Sequence, residues 1–166
     1  WYCSLCMFVP RLVASFFTYG SLLILAVIFS VPQIVSAASF AVTPAAGTHV
    51  VGSTFTTTIL AASDAPALNA VSGDISFPAN LLEVVSLSKN QSIVSHWVKE
   101  PVFSNTAGTI QFEGVVLNPG YTGTAGRVPT VTFRVKNAGS ADVAFITGSI
   151  LANDGEGTEI LKNIGI

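Results

Sequence analysis

The chain is poor in charge. Only 10% of its 166 residues are Asp, Glu, Lys or Arg, and seven bases against nine acids leave a net charge of −2. No basic field exists to gather phosphates, which argues against a nucleic-acid partner. Disorder is excluded from the other side, because half of the residues are hydrophobic and such a chain collapses. Cysteine is nearly absent: Cys3 and Cys6 form a lone Cys-x-x-Cys without the further ligands of a structural zinc site or the βαβ context of a thioredoxin-like motif. Past residue 38 there is no cysteine at all, so no disulfide frame can hold that part together. Its stability has to come from an apolar core, which about 129 residues can supply.

The charge that exists is unevenly placed. Residues 1–38 carry only Arg11, while all nine acids and the other six bases follow. Residues 12–31 are twenty uncharged positions that include the run Leu22-Leu23-Ile24-Leu25-Ala26-Val27-Ile28-Phe29. After Pro32 come Val35-Ser36-Ala37-Ala38, small residues at the −3 and −1 spacing that signal peptidase reads. The expected division is therefore 1–38 as a signal peptide, with cleavage after Ala37 or Ala38, and 39–166 as an exported domain. An uncleaved N-terminal membrane anchor is the alternative, since twenty apolar residues can span a bilayer. Met7 is the sole methionine and opens Met-Phe-Val-Pro-Arg, a short positive n-region, so residues 1–6 read as upstream read-through. The expected location is extracellular or at the cell surface, with membrane contact only through this segment or through an anchor beyond Ile166.

The exported part is dense in Thr, Val, Ser and Ala, and thirteen glycines and six prolines break it into short runs. Residues 50–60 alternate through Val51, Ser53, Phe55, Thr57 and Ile59, as a half-buried strand requires. Residues 69–77 repeat the pattern, with Val71, Gly73, Ile75 and Phe77 inward and Ser72, Asp74 and Ser76 outward. Further strands are expected at 40–43, 82–87, 93–98, 109–116, 128–135, 141–146 and 149–151. Turn formers such as Asn105-Thr106-Ala107-Gly108 and Asn118-Pro119-Gly120 fall between them. The one candidate helical turn is short, at residues 78–82. Nine strands with this punctuation predict an all-β, antiparallel sandwich.

Five segments, taken in order, are similar to bacterial cohesin domains. They are Val51-Gly52-Ser53-Thr54-Phe55-Thr56, Leu68-Asn69-Ala70-Val71, Phe77-Pro78-Ala79-Asn80-Leu81-Leu82-Glu83-Val84-Val85, Gly108-Thr109-Ile110-Gln111-Phe112-Glu113-Gly114 and Val131-Thr132-Phe133-Arg134-Val135-Lys136-Asn137-Ala138-Gly139-Ser140. The resemblance covers roughly residues 40–160 and implies a nine-stranded sandwich of jelly-roll type, related to cellulose-binding modules, that grips a dockerin on a partner protein. It also implies that the outward row Ser72, Asp74 and Ser76 lies on a strand used for recognition. Two departures stand out. The family's aromatic-Asp-Pro-Asn is replaced by Phe77-Pro78-Ala79-Asn80, and Ser72 stands where family members often carry an Asp that contacts dockerin.

Groups that would do chemistry are sparse. A glycosidase needs two carboxyls across a sugar, and the acids here are scattered singly, with Glu83 and Glu113 the one pair that neighbouring strands could bring together. No Gly-x-Ser-x-Gly is present, and neither His49 nor His96 has a ligand-spaced neighbour. The reading is a non-catalytic module without a cofactor or metal. Asp154 and Glu156 in Asn153-Asp154-Gly155-Glu156-Gly157-Thr158 could offer oxygens to calcium, but the segment lacks EF-hand spacing and reads as a turn. Phe40, Phe55, Phe77, Phe112, Phe133 and Phe145 occupy inward phases and belong to the core. That leaves Trp97, Phe103 and Tyr121, of which Trp97 and Tyr121 would carry the alternative function, stacking on a polysaccharide. The sequon Asn90-Gln91-Ser92 is a formal glycosylation acceptor. The expected partner is thus an extracellular, dockerin-like protein, or else a polysaccharide.

Overall fold

The computed structural model describes residues 37–165; residues 1–36, with Cys3, Cys6 and most of the expected signal peptide, lie outside them. The described residues form eight strands and no helix: β1 (Ala38–Thr43), β2 (Thr54–Ser76), β3 (Leu82–Ser88), β4 (His96–Ser104), β5 (Thr109–Val115), β6 (Tyr121–Val135), β7 (Ala144–Ala152) and β8 (Leu161–Ile164). Residues 78–82 make a single turn, closed by the Leu81 and Leu82 N–H groups donating to the Pro78 carbonyl.

β2, 23 residues long, builds both layers. Its first half, Thr54 to Ser63, runs between β1 and β6. Its second half, Ala70 to Ser76, runs between β5 and β7. The corner between the halves is exposed at Asp64, Ala65 and Pro66, where a proline without an N–H suits a ladder that is changing partners. The Ser63 hydroxyl donates to the Pro66 carbonyl at 2.7 Å and holds the corner. The layers are therefore β3-β6-β2-β1-β8 and β7-β2-β5-β4, joined by one bent strand. With its halves counted separately, β2 brings the tally to the nine segments of the expected sandwich.

The strand expected at residues 50–60 starts only at Thr54, leaving Val50 and Val51 exposed ahead of it, and four further details differ from the expectation. The segments at 141–146 and 149–151 are one strand, because Gly148 continues the ladder where a side chain would meet the Phe40 ring at 3.1 Å. β4 starts at His96 and continues through Pro101 to Ser104. It is an edge strand with two register shifts, the setting in which a strand tolerates proline. β6 starts at Tyr121, seven residues early, and follows β2 round the corner with Tyr121 opposite Leu68 and Gly123 opposite Ser63. Finally, β8 was not expected, and it pairs with β1 in parallel, so the sandwich is not wholly antiparallel.

Alternation fills the space between the layers. Phe40, Ile59, Leu68, Val71, Ile75, Ile110, Phe112, Val131, Phe133 and Ile150 are all buried. The rings interlock: Phe40 meets Phe112 edge-on at 6.2 Å and stacks on Phe145 at 4.8 Å, and Phe133 receives Phe55 and Phe77 at 5.5 and 5.4 Å. Gly73 makes the first group possible, since a Cβ there would lie 2.7 Å from Phe112 and 2.8 Å from Phe145. Each buried ring contributes about 1.5–3 kcal/mol of transfer free energy.

Candidate functional site

The side chains that β2 turns away from the core in its second half lie on the outer face of the β7-β2-β5-β4 layer. Cross-strand neighbours on one face stand about 5 Å apart, so the register fixes a grid. Ala70 is flanked by Val115 and Leu151, Ser72 by Glu113 and Ser149, Asp74 by Gln111 and Thr147, and Ser76 by Thr109 and Ala144. β4 widens the grid with Lys99 opposite Glu113, Val102 opposite Gln111 and Ser104 opposite Thr109. Ser72, Asp74 and Ser76 thus stand in one row on the central strand of a four-stranded face.

Hydrogen bonds knit this face. Thr147 Oγ1 donates to Asp74 Oδ2 at 3.3 Å, Ser76 Oγ to the Ala144 carbonyl at 3.3 Å, and Lys99 Nζ to Gln111 Oε1 at 2.8 Å. Ser149 Oγ donates to Glu159, whose carboxylate also accepts the Ile150 and Leu161 N–H groups at 3.0 and 2.9 Å. Partial burial pushes the Glu159 pKa up, but these hydrogen bonds outweigh it and hold the carboxyl below its ordinary range. One end of the face is apolar. There Ala70, Val98, Val115 and Leu151 surround a shallow depression beside Ser72 and Glu113, and Val98 is 61% exposed. Val102 is also exposed further along β4, beyond the exposed Lys99 and Glu100.

The aromatic candidates are placed differently. Trp97 lies on β4 opposite Gly114, where a Cβ would meet its ring at 3.2 Å, and it packs half-buried against the core. Tyr121 lies on β6 and covers Gly126, where a Cβ would approach its ring to 2.7 Å. Both are strand residues, and each ring packs over a glycine, Trp97 over Gly114 across the β4–β5 ladder and Tyr121 over Gly126 further along its own strand. Phe103, opposite Ile110, is exposed. The carboxyl pair does not meet: Glu83 lies on β3 and accepts Arg134 Nη1 at 3.1 Å, while Glu113 lies on the outer face of the other layer.

Among the described residues no group of three or more His, Cys, Asp and Glu could hold a metal. Asp154 Oδ1 accepts the Glu156 N–H at 2.9 Å, closing the turn on itself. The Thr158 hydroxyl and that N–H hold the Asp154 carboxyl below its ordinary pKa. Among the described residues no helix is long and apolar enough to cross a membrane. Sequence reasoning found the central row but not its flanks, Gln111, Glu113, Thr147 and Ser149, nor the exposed Val98 and Val102. Their outward phase is readable within each strand, but which strands border β2 is not.

No family model and no curated protein matches the chain. Solved structures do. The sixth cohesin of scaffoldin B from Acetivibrio cellulolyticus, crystallised with a Cel5 dockerin, is 13% identical with a TM-score of 0.59, over 78% of this chain and 95% of that one. The OlpA cohesin from Clostridium thermocellum, in a type I complex with a dockerin, is 13% identical with a TM-score of 0.62, over 78% and 96%. A type II cohesin module of the ScaA scaffoldin from Acetivibrio cellulolyticus is 14% identical with a TM-score of 0.55, over 79% and 86%.

Proposed function

With the fold of a cohesin module as premise, we propose that this domain is a non-catalytic attachment module that holds a dockerin-like protein in an extracellular assembly. The partner would sit on the outer face of the β7-β2-β5-β4 layer, over Ser72, Asp74 and Ser76. The observation that carries this reading is the composition of that face: a polar row on β2, with Asp74 and Ser76 hydrogen-bonded to β7, flanked by Glu113 and Gln111, and bordered by exposed Val98 and Val102. Such a face combines an apolar edge, which provides affinity, with fixed polar groups that select the partner. Solved complexes of the same fold with dockerins support the choice of partner class. Export follows from the apolar leader and its small-residue site.

The alternative, polysaccharide binding through Trp97 and Tyr121, has less support, because each ring lies half-buried over a strand glycine and the two stand on different strands. The test is affinity capture from the secreted proteins of the source organism. Capture of a dockerin-bearing protein, lost on Asp74→Arg, supports the proposal. Retention on insoluble glycan gels, lost on Trp97→Ala and untouched by Asp74→Arg, would replace it with the alternative.

A further inference from the structure

At the end of the sandwich where β2 begins, a cavity of about 180 Å³ opens beneath the 44–50 loop and beside the 137–143 connection. Its walls mix apolar side chains, among them Val42, Phe55, Leu82 and Val135, with the polar Asn137 and Asp142. Into this lining β2 turns a polar side chain at a core phase: Thr57, between Phe55 and Ile59, is 6% exposed. The Thr57 hydroxyl has no hydrogen-bond partner among the described residues, and no side-chain polar atom among them is both sealed from solvent and unpaired, so it faces the cavity. Water reaches this hydroxyl through the cavity, so a ligand that displaces that water has to bring a hydrogen-bonding group of its own to hold affinity. At the rim stand the exposed carboxylate of Asp142 and the ring of His49, which stacks on Phe55 at 4.1 Å and 5°. Gly47 makes room for that stack, since a Cβ there would lie 2.8 Å from His49 Nε2.

From this arrangement we infer that the cavity is a small-molecule site for a single-ring aromatic compound bearing a protonated amine. The volume suffices, because about 150 Å³ holds a benzene ring. The ring would lie among Val42, Phe55, Leu82 and Val135, with a polar edge on the Thr57 hydroxyl and the ammonium at Asp142. This site stands on its own lining residues and does not depend on the protein-binding face.

The experiment is an amide NMR titration of the chain from Ala38, which carries the whole core, with benzylamine as probe and benzoate as its charge-reversed counterpart. Benzylamine is expected to shift the amides of Val42, Phe55, Thr57 and Val143 with a Kd on the order of 1 mM, and benzoate to bind more weakly. Asp142→Asn, an exposed change that leaves the core intact, is expected to weaken benzylamine about threefold. Thr57→Val is expected to weaken it about fivefold without lowering the melting temperature, because the hydroxyl it removes bonds no protein group. Shifts absent from those four amides, benzoate binding as tightly as benzylamine, or unchanged affinity in both variants would each overturn the inference.

Discussion

The side-chain amide of Asn105 closes a two-point clip on the backbone of Val84. Its Oδ1 accepts the Val84 N–H at 2.7 Å and its Nδ2 donates to the Val84 carbonyl at 3.0 Å. Asn105 follows β4 in one layer and Val84 lies in β3 of the other, so one side chain imitates a strand partner and ties the two layers. Asn105→Ala removes both bonds and leaves Val84, which is buried, with unpaired backbone groups. The expected loss is about 1–3 kcal/mol by denaturant unfolding. A midpoint unchanged within error would show that water replaces the clip.

Core truncations should separate inward from outward phases. Phe77→Ala and Phe112→Ala should each cost about 3–5 kcal/mol, while Ser72→Ala on the outer face should stay within about 0.5 kcal/mol. Comparable losses for all three would contradict the burial of the two rings.

How far the sequence carried can be judged strand by strand. The phases of residues 69–77 and 109–116 were readable because period-two alternation is a local property, and so the row Ser72, Asp74 and Ser76 was found. The continuity of β2 was hidden. Ala65-Pro66 reads as a break, yet the ladder passes the corner because β6 bends beside it, with Gly123 opposite Ser63. β8 was missed because four residues centred on Lys162 and Asn163 carry no alternation, and its strand character comes from pairing with β1. The cavity at Thr57 was equally invisible, since a threonine at a core phase reads as ordinary strand composition until the loop above it is placed.

The proposed signal peptide should be cleaved at one of its two candidate sites, after Ala37. Ala38 is the first residue of β1, buried, and its N–H donates to the Ile160 carbonyl at 2.9 Å. Cleavage after Ala38 would delete that residue from the core, so the mature chain should begin at Ala38. Intact-mass measurement of secreted protein checks this; a chain that begins at Ser39 or retains Leu22 to Phe29 would contradict it.

Acid should weaken the join between β7 and β8. The folded-state pKa of Glu159 lies below the ordinary glutamate value of 4.5. Its carboxylate therefore contributes stability that is fully present above that value and is lost as pH falls through the depressed folded-state pKa. Glu159→Gln should lower stability at pH 7 and flatten its fall below about pH 4.5, where Asp154, shifted the same way, still contributes. Parallel stability–pH curves for the variant and the parent would remove Glu159 from the account.

If the outer face of the β7-β2-β5-β4 layer holds a protein partner, Asp74 lies under the middle of that partner. Binding of the captured partner should be measured by calorimetry for the parent and for Asp74→Arg at low and at high salt. The charge reversal should weaken binding by tenfold or more, about 1.4 kcal/mol, and the difference should narrow as salt rises. Equal affinity of the two proteins at low salt, with both correctly folded, would contradict the account.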